Sequence, residues 1–425
     1  MEIKEIYKKF LETTGVVTDT RLIKENCIFF ALKGEKFDAN TFAKEAINKG
    51  AKYAVIDNVN YSIPNKTILV NNSLEVLQKL AHFHRNQLNI KIIGLTGSNG
   101  KTTTKELFNI VLSQKFNTKA TIGNFNNHIG VPLTLLSFDA NTEIGIVEMG
   151  ANHQKEIEFL CSIAEPDFGY ITNFGKAHLE GFGGVEGVIK GKSELYTYLK
   201  KNNKTTIVNL DDALQAEKTK ELKRYTFSTS ANSDVKINTI EANPMVTISY
   251  NETTIHSNLI GLYNANNINA AITLGKYFKI EDFLIKEAIE DYIPTNNRSQ
   301  LIKKATNTII LDAYNANPSS MQAALTNFFQ LENKSKIAIL GDMFELGQES
   351  LFEHQKIVDL CKKQSEITFY FVGKNFYESK IDSCDFIKFF ESTENFKEFH
   401  KTLNPEKSLI LIKGSRGMRL EQVLE

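Results

Sequence analysis

The chain has 425 residues, 42% apolar and 24% charged, with 50 Lys+Arg set against 50 Asp+Glu. That length exceeds one ordinary core and predicts two or three domains, while the even charge balance gives no ground for nucleic-acid binding. No apolar run reaches the ~18 residues of a membrane span, so no membrane insertion is expected.

The opening "MEIKEIYKKF" has no apolar segment followed by a small-residue cleavage site, so it does not read as a secretory signal. In the first unit, residues 1–85, "CIFFAL" and "YAVID" read as buried strands. "NTFAKEAINKG" reads as a glycine-closed helix and "SLEVLQKLAHFHRNQ" as a longer one. The second unit, residues 86–298, carries the strands "KIIGLTG", "IGIVEMG", "FGYITNFG" and "TTIVNL". The β-rich pieces "VKINTI" and "VTISY" and a helix near Asn264–Tyr277 follow. In the third, residues 299–425, "NTIILDAY", "KIAILGD", "ITFYFVG" and "SLILIKG" alternate with helices from Pro318 and near Leu351–Lys362. Such alternation predicts an α/β fold with a mostly parallel, doubly wound sheet. Cys27, Cys161, Cys361 and Cys384 lie far apart, in neither CxxC nor zinc spacing, as expected of thiols in a reducing cytoplasm.

The stretch "TGSNGKTTTKE" at 96–106 ends a buried strand and opens a helix. Its glycines let main-chain N–H groups approach phosphate oxygens, and the helix start adds about half a positive charge. Lys101 is placed to neutralise outer phosphates and Thr102 to offer a hydroxyl to Mg²⁺. Leu95 stands where the strict P-loop pattern has glycine, so this is a variant loop; a plain glycine turn before a helix is the alternative. Glu148 is the one charge near the end of "GIVEMG", where a carboxylate can complete Mg²⁺ coordination or simply face solvent. His178, in the glycine-rich "TNFGKAHLEGFGG", suits a metal, a phosphate or water. In "GVEGVIKGKSELYTYL", Val185, Val188, Ile189, Leu195, Tyr196 and Leu199 share one helical face, with Lys192 in its middle. A lysine there either snorkels to the surface or is held neutral, and a neutral amine can take up CO₂ as a carbamate. Asn317 is a good N-cap and Pro318 a natural first helical residue. Arg416 in "KGSRG" is either a clamp for a carboxylate or phosphate or an ordinary surface arginine.

Together with "TDTRLIKENCIFFALKGEKFDAN" (18–40), "GNFNNHIGVP" (123–132), "VEMGAN" (147–152) and "HLEGFGG" (178–184), these stretches make a set that runs through the whole chain. "GKSEL" (191–195), "DAYNANPSSM" (312–321), "LGDMFELG" (340–347) and "KGSRGM" (413–418) complete it. In order and spacing the set resembles the Mur ligase family, MurF type. The resemblance implies three domains: a small UDP-sugar-binding N-terminal α/β domain, a central P-loop ATP-binding α/β domain and a C-terminal Rossmann-like domain. It implies that Thr96, Gly97, Ser98, Asn99, Gly100, Lys101, Thr102 and Thr103 hold ATP phosphates. Asn264 and Asn267 would lie near adenine, and Arg298 and Asp312 near ribose or phosphates. Thr102, Glu148, His178 and a carbamylated Lys192 would serve Mg²⁺, two ions in all, with Lys101, Lys192 and His178 as the catalytic set. Thr20, Arg21 and the Lys33–Asp38 stretch would meet the UDP-sugar, and Asn126, Asn127, Asn315 and Arg416 are further substrate candidates. Tyr314, Asn315, Asn317 and Pro318 would shape a loop closing over the site.

The implied reaction is ATP-dependent joining of D-alanyl-D-alanine to UDP-N-acetylmuramoyl-tripeptide, by a cytoplasmic monomer, for peptidoglycan precursor synthesis. Two departures stand out. Leu262-Tyr263 replaces a usual Arg-His pair, and "GKSEL" replaces "AKGEI" while keeping its lysine. The rivals are a related ligase of the folylpolyglutamate synthase type, a Mur ligase adding one amino acid, a nucleotide switch and a kinase.

Overall fold

The structure, a computed structural model, describes residues 2–295, 297–379 and 384–424. Three main sheets follow one another along the chain. The first has four parallel strands in the order Val16–Val17, Ile28–Phe30, Tyr53–Ile56 and Thr67–Leu69. Helix Ser73–Gln87 closes this unit, with Asn72 accepting from the N–H groups of Leu74 and Glu75, a cap worth about 1 kcal/mol. Its outer face lies on the central unit: the His84 imidazole meets the Phe138 carbonyl at 2.9 Å, and Arg85 donates to the Ala164 and Glu165 carbonyls.

The central sheet has nine strands. Lys91–Thr96 lies between Phe168–Ile171 and Ile144–Glu148, both parallel to it. Beyond Phe168–Ile171 come Thr205–Asn209 and Lys223–Ser228, then an antiparallel extension through Val235–Ala242, Met245–Tyr250 and Thr253–Ile260. The sequence reading missed Lys223–Ser228 and Thr253–Ile260 as strands. Strand residues alternate between two apolar clusters: Ile92 and Val147 face one, Ile93, Leu95 and Ile146 the other. Both faces are therefore covered, as a parallel sheet requires.

The third sheet runs Gln300–Lys304, Asn307–Asp312, Leu409–Lys413, Lys336–Gly341, Ile367–Val372, Ile387–Phe390. Only its first strand is antiparallel. The alternation again splits two ways, Ala338 and Leu340 to one cluster and Ile339 to another, giving the doubly wound form expected. Because the central and third sheets are mainly parallel, the C-terminal ends of their strands converge on one cleft, the usual place for a ligand in such sheets. No helix among the described residues is long and apolar enough to cross a membrane.

Candidate active site

The cleft is a cavity of about 1210 Å³ that takes residues from all three units. Its floor is the loop between strand Lys91–Thr96 and helix Lys101–Leu112. Gly97 has φ +140°, and a Cβ there would stand 2.0 Å from the Thr172 hydroxyl oxygen. Gly100 has φ +79°, and its Cβ would stand 2.5 Å from Asn267 Oδ1. Both positions need glycine, for the left-handed backbone and for the space. Ser98, Asn99, Gly100, Lys101, Thr102 and Thr103 line the cavity. Thr96 and Gly97 do not: Thr96 is fully buried beneath the loop.

Lys101 Nζ donates to the carbonyls of Gly97 (2.8 Å) and Ser98 (3.3 Å). Burial pushes its ammonium below the usual lysine range; the Glu148 carboxylate opposes the shift and the Arg298 guanidinium adds to it. Glu148 ends its strand buried at the cavity floor, opposite Leu95 in register. One carboxylate oxygen accepts from the Thr102 hydroxyl at 2.9 Å and the other from Asn126 Nδ2 at 2.8 Å. Glu148 is thus a fixed anion beside the phosphate loop, not a solvated strand end.

Lys192 is completely buried. Its helix, Val185–Lys201, buries Val188, Gly191, Lys192, Leu195, Tyr196 and Leu199. Val185 is exposed and Ile189 only half-buried, so the apolar face is narrower than the sequence implied: both lie at the margin of a buried stripe that runs through Val188, Lys192, Leu195 and Leu199. Lys192 does not snorkel: Nζ donates to the Ala151 carbonyl at 3.1 Å and lies 5.0 Å from the Phe182 ring centre. Burial first, then repulsion from Lys101, drives its amine well below the usual lysine range. That favours the neutral form, the one able to react with CO₂.

His178 lines the cavity with φ +53°, and its Nδ1 pairs with the Glu345 carboxylate of the third unit. The imidazole in turn holds that carboxyl below its ordinary range. Asn264 and Asn267 are buried neighbours, Asn267 Nδ2 donating to Asn264 Oδ1 at 2.9 Å. Tyr263, at one of the departures from the family pattern, bonds the Ser299 hydroxyl at 2.8 Å. The Arg298 guanidinium stacks 3.8 Å from the centre of the Tyr314 ring. Asp312 is neutralised by Lys413, its register partner on the adjacent strand, at 2.6 Å.

Some candidates stand apart. Asn127 lines the cavity, but its Oδ1 is occupied by the Ile129 and Gly130 N–H groups; Asn315 Oδ1 likewise takes the Ala316 N–H. Arg416 is not in the cavity: exposed, it pairs with Glu421 at 2.7 Å. Thr20 and Arg21 also lie outside it, on a 3-10 turn capped by Asp19, with Arg21 bound to Asp19. The Lys33–Asp38 hairpin is tied down separately, by a Lys33–Asp57 pair (2.9 Å) and by buried Asn40 bridging Asp38 and Asp57. Sequence reasoning missed Gln78, which brings the first unit to the cavity rim, and Lys176, which pairs with buried Glu353 of the third unit at 2.6 Å. No local pattern signals a partner 177 residues away.

Comparison with known proteins agrees with this geometry. Residues 95–275 match the Mur ligase middle domain and residues 297–416 the Mur ligase glutamate ligase domain. The UDP-N-acetylmuramoyl-tripeptide–D-alanyl-D-alanine ligase of Bacillus subtilis (strain 168) is 34% identical, over 97% of this chain and 92% of the relative. The chain belongs to the Mur ligase family, in its MurF branch. The Escherichia coli (strain K12) ligase of the same name is also 34% identical, over 96% of this chain and 92% of its own. Among solved structures, MurF from Acinetobacter baumannii superposes with a TM-score of 0.87 at 29% identity, covering 99% of this chain and 97% of that one. MurF from Thermotoga maritima, in complex with ADP, gives 0.84 at 26% identity, with 97% of each chain covered.

Proposed function

We propose that the chain joins D-alanyl-D-alanine to the terminal carboxylate of UDP-N-acetylmuramoyl-tripeptide at the expense of ATP, in peptidoglycan precursor synthesis. The observation that carries this reading is the shared cavity: a phosphate loop with Lys101 and Glu148 on its floor, and walls from all three units. Its volume of about 1210 Å³ exceeds the ~300–1,000 Å³ of a typical single-ligand pocket. Its MurF relatives match over nearly their whole length.

A carboxylate is a poor electrophile and does not condense with an amine in water. Transfer of the γ-phosphoryl group of ATP to the tripeptide carboxylate gives an acyl phosphate and ADP. The dipeptide amine then attacks the acyl carbon and phosphate leaves. The chain's part is positioning and charge neutralisation. Lys101 and the N–H groups of the phosphate loop hold the outer phosphates while two anions approach each other. Asn264 and Asn267 face the adenine side, and Arg298 with Asp312 the ribose and phosphates. The third unit, closed on the loop, keeps water from the acyl phosphate.

Thr102 and Glu148 fit a Mg²⁺ ion: both are hard oxygen donors, and they already lie within hydrogen-bond distance of each other at the floor. A second ion would be held by His178 and by Lys192 in carbamate form, adding a further oxygen donor beside the loop. The ions supply positive charge against phosphate and carboxylate oxygens. Thr20, Arg21 and the Lys33–Asp38 hairpin serve the UDP-sugar end, away from the chemistry. On this reading the enzyme works as a monomer in the cytoplasm.

Phosphate release from ATP tests the proposal. It should be slow with ATP alone and rise steeply only when muramoyl tripeptide and D,D-dipeptide are both present. Hydrolysis indifferent to both would leave a nucleotide switch instead.

A further inference from the structure

The N-cap residue of one helix of the third unit reaches across the cleft to the phosphate loop. Helix Pro318–Gln330 is N-capped by Asn317, whose Oδ1 accepts from the Ser320 N–H at 2.9 Å. The same amide's Nδ2 donates to Asn99 Oδ1 at 2.7 Å. The Asn99 main chain is fixed within the central unit: its N–H donates to Asn173 Oδ1, and its carbonyl accepts from the Thr172 hydroxyl and Asn173 Nδ2. Its side chain is bonded to the third unit. Gly175 admits this approach, since a Cβ there would stand 2.9 Å from Asn99 Nδ2 and 3.1 Å from Ser319 Oγ. Next to it, the Lys176 N–H donates to that same Ser319 hydroxyl at 2.8 Å.

We propose that Asn317 is a positioning residue that reports docking of the third unit to the phosphate loop through Asn99, so that nucleotide affinity and domain closure are coupled. The inference rests on the nucleotide reading of that loop and names the side-chain pair that ties it to the third unit. One face of the amide organises its own helix, and the other restrains the loop residue next to Gly100. With the third unit undocked, Asn99 loses its partner, and the loop N–H groups lose part of their preorganisation for phosphate. Linkage makes the effect reciprocal: nucleotide on the loop favours docking.

The test uses the full chain with ADP and Mg²⁺ as probe. Asn317→Ser keeps a capping oxygen and loses the reach to Asn99, so it separates the cap from the contact. Its melting temperature should stay close to that of the unchanged chain. Its ADP affinity should fall about three- to tenfold, the range of one lost hydrogen bond. Asn99→Ala should lose as much, and the double variant no more than either single one. Amide hydrogen exchange over residues 98–103, measured without nucleotide, should quicken in Asn317→Ser. Unchanged affinity with unchanged exchange, or losses that add in the double variant, would overturn the coupling. Quickened exchange in a chain that binds no ADP would support the contact and reject the nucleotide reading instead.

Discussion

The two sides of the cavity are built differently. On the central side, backbone conformation and burial fix everything: Gly97 and Gly100 have no room for a side chain, Glu148 is held by Thr102 and Asn126, and Lys192 lies in the core. The third unit shares one apolar cluster with the central unit, and the seam at the cavity adds separate polar contacts: Asn317 to Asn99, Lys176 to Glu353, His178 to Glu345 and Tyr263 to Ser299. A wall of the first kind keeps its shape without ligand. One of the second kind depends on contacts that each contribute only about 0.5–3 kcal/mol. The difference teaches that the phosphate loop and Glu148 sit where packing fixes them, while the seam toward the third unit rests on contacts that single polar substitutions can remove.

The sharpest way to break that contrast is at its centre. Lys101→Ala should lower ligation ~10²–10³-fold, as removal of a key charge-stabilising group does, while the chain still folds. Near-normal turnover would remove the fixed side from the chemistry. Lys192→Ala should come next, nearly inactive but partly restored by short carboxylic acids that replace the carbamate oxygens. An intact mass showing unmodified Lys192 in CO₂-replete buffer would count against the carbamate. Gly97→Ala should cost ~2–4 kcal/mol of stability by denaturant titration, because both its φ and its contact with Thr172 forbid a methyl group. On the third unit's side, Glu353→Gln should change turnover less than about tenfold and show mainly as a more open particle in small-angle scattering. An effect as large as that of Lys101→Ala would erase the distinction.

The smallest effect concerns stability and pH. Burial lowers the folded-state pKa of Lys192, so the unfolded chain binds more protons as pH rises from that value toward the ordinary ~10.4. Stability therefore rises through that window, and the penalty is greatest below it. In CO₂-free buffer, Lys192→Met should stabilise the chain by about 1–3 kcal/mol at neutral pH, with the gain shrinking toward alkaline pH. A gain that grew with pH would mean the amine is not held neutral.

What the sequence revealed was what local pattern encodes. The Gly100-Lys101-Thr102 turn, Glu148 at a strand end and Lys192 on an apolar face each depend on neighbours within a few residues. Val185 was misplaced because periodicity does not tell how wide a helix's buried stripe is. Arg416 drew attention through "KGSRG", whereas its partner Glu421 decides where it points. The edge strands Thr253–Ile260 and Gln300–Lys304 were missed; each has one paired side and weaker apolar alternation. The contacts that assemble the cleft join residues 177 and 218 positions apart, and only tertiary packing sets such distances.

The central claim is that ATP activates the tripeptide carboxylate, and an oxygen label tests it most directly. Muramoyl tripeptide carrying ¹⁸O at both oxygens of its terminal carboxylate is incubated with ATP, Mg²⁺ and D-alanyl-D-alanine, and the released phosphate is analysed by mass. Passage through an acyl phosphate predicts one ¹⁸O atom in each phosphate released alongside ligated product. Phosphate free of label, in a reaction that still forms the amide, would contradict it.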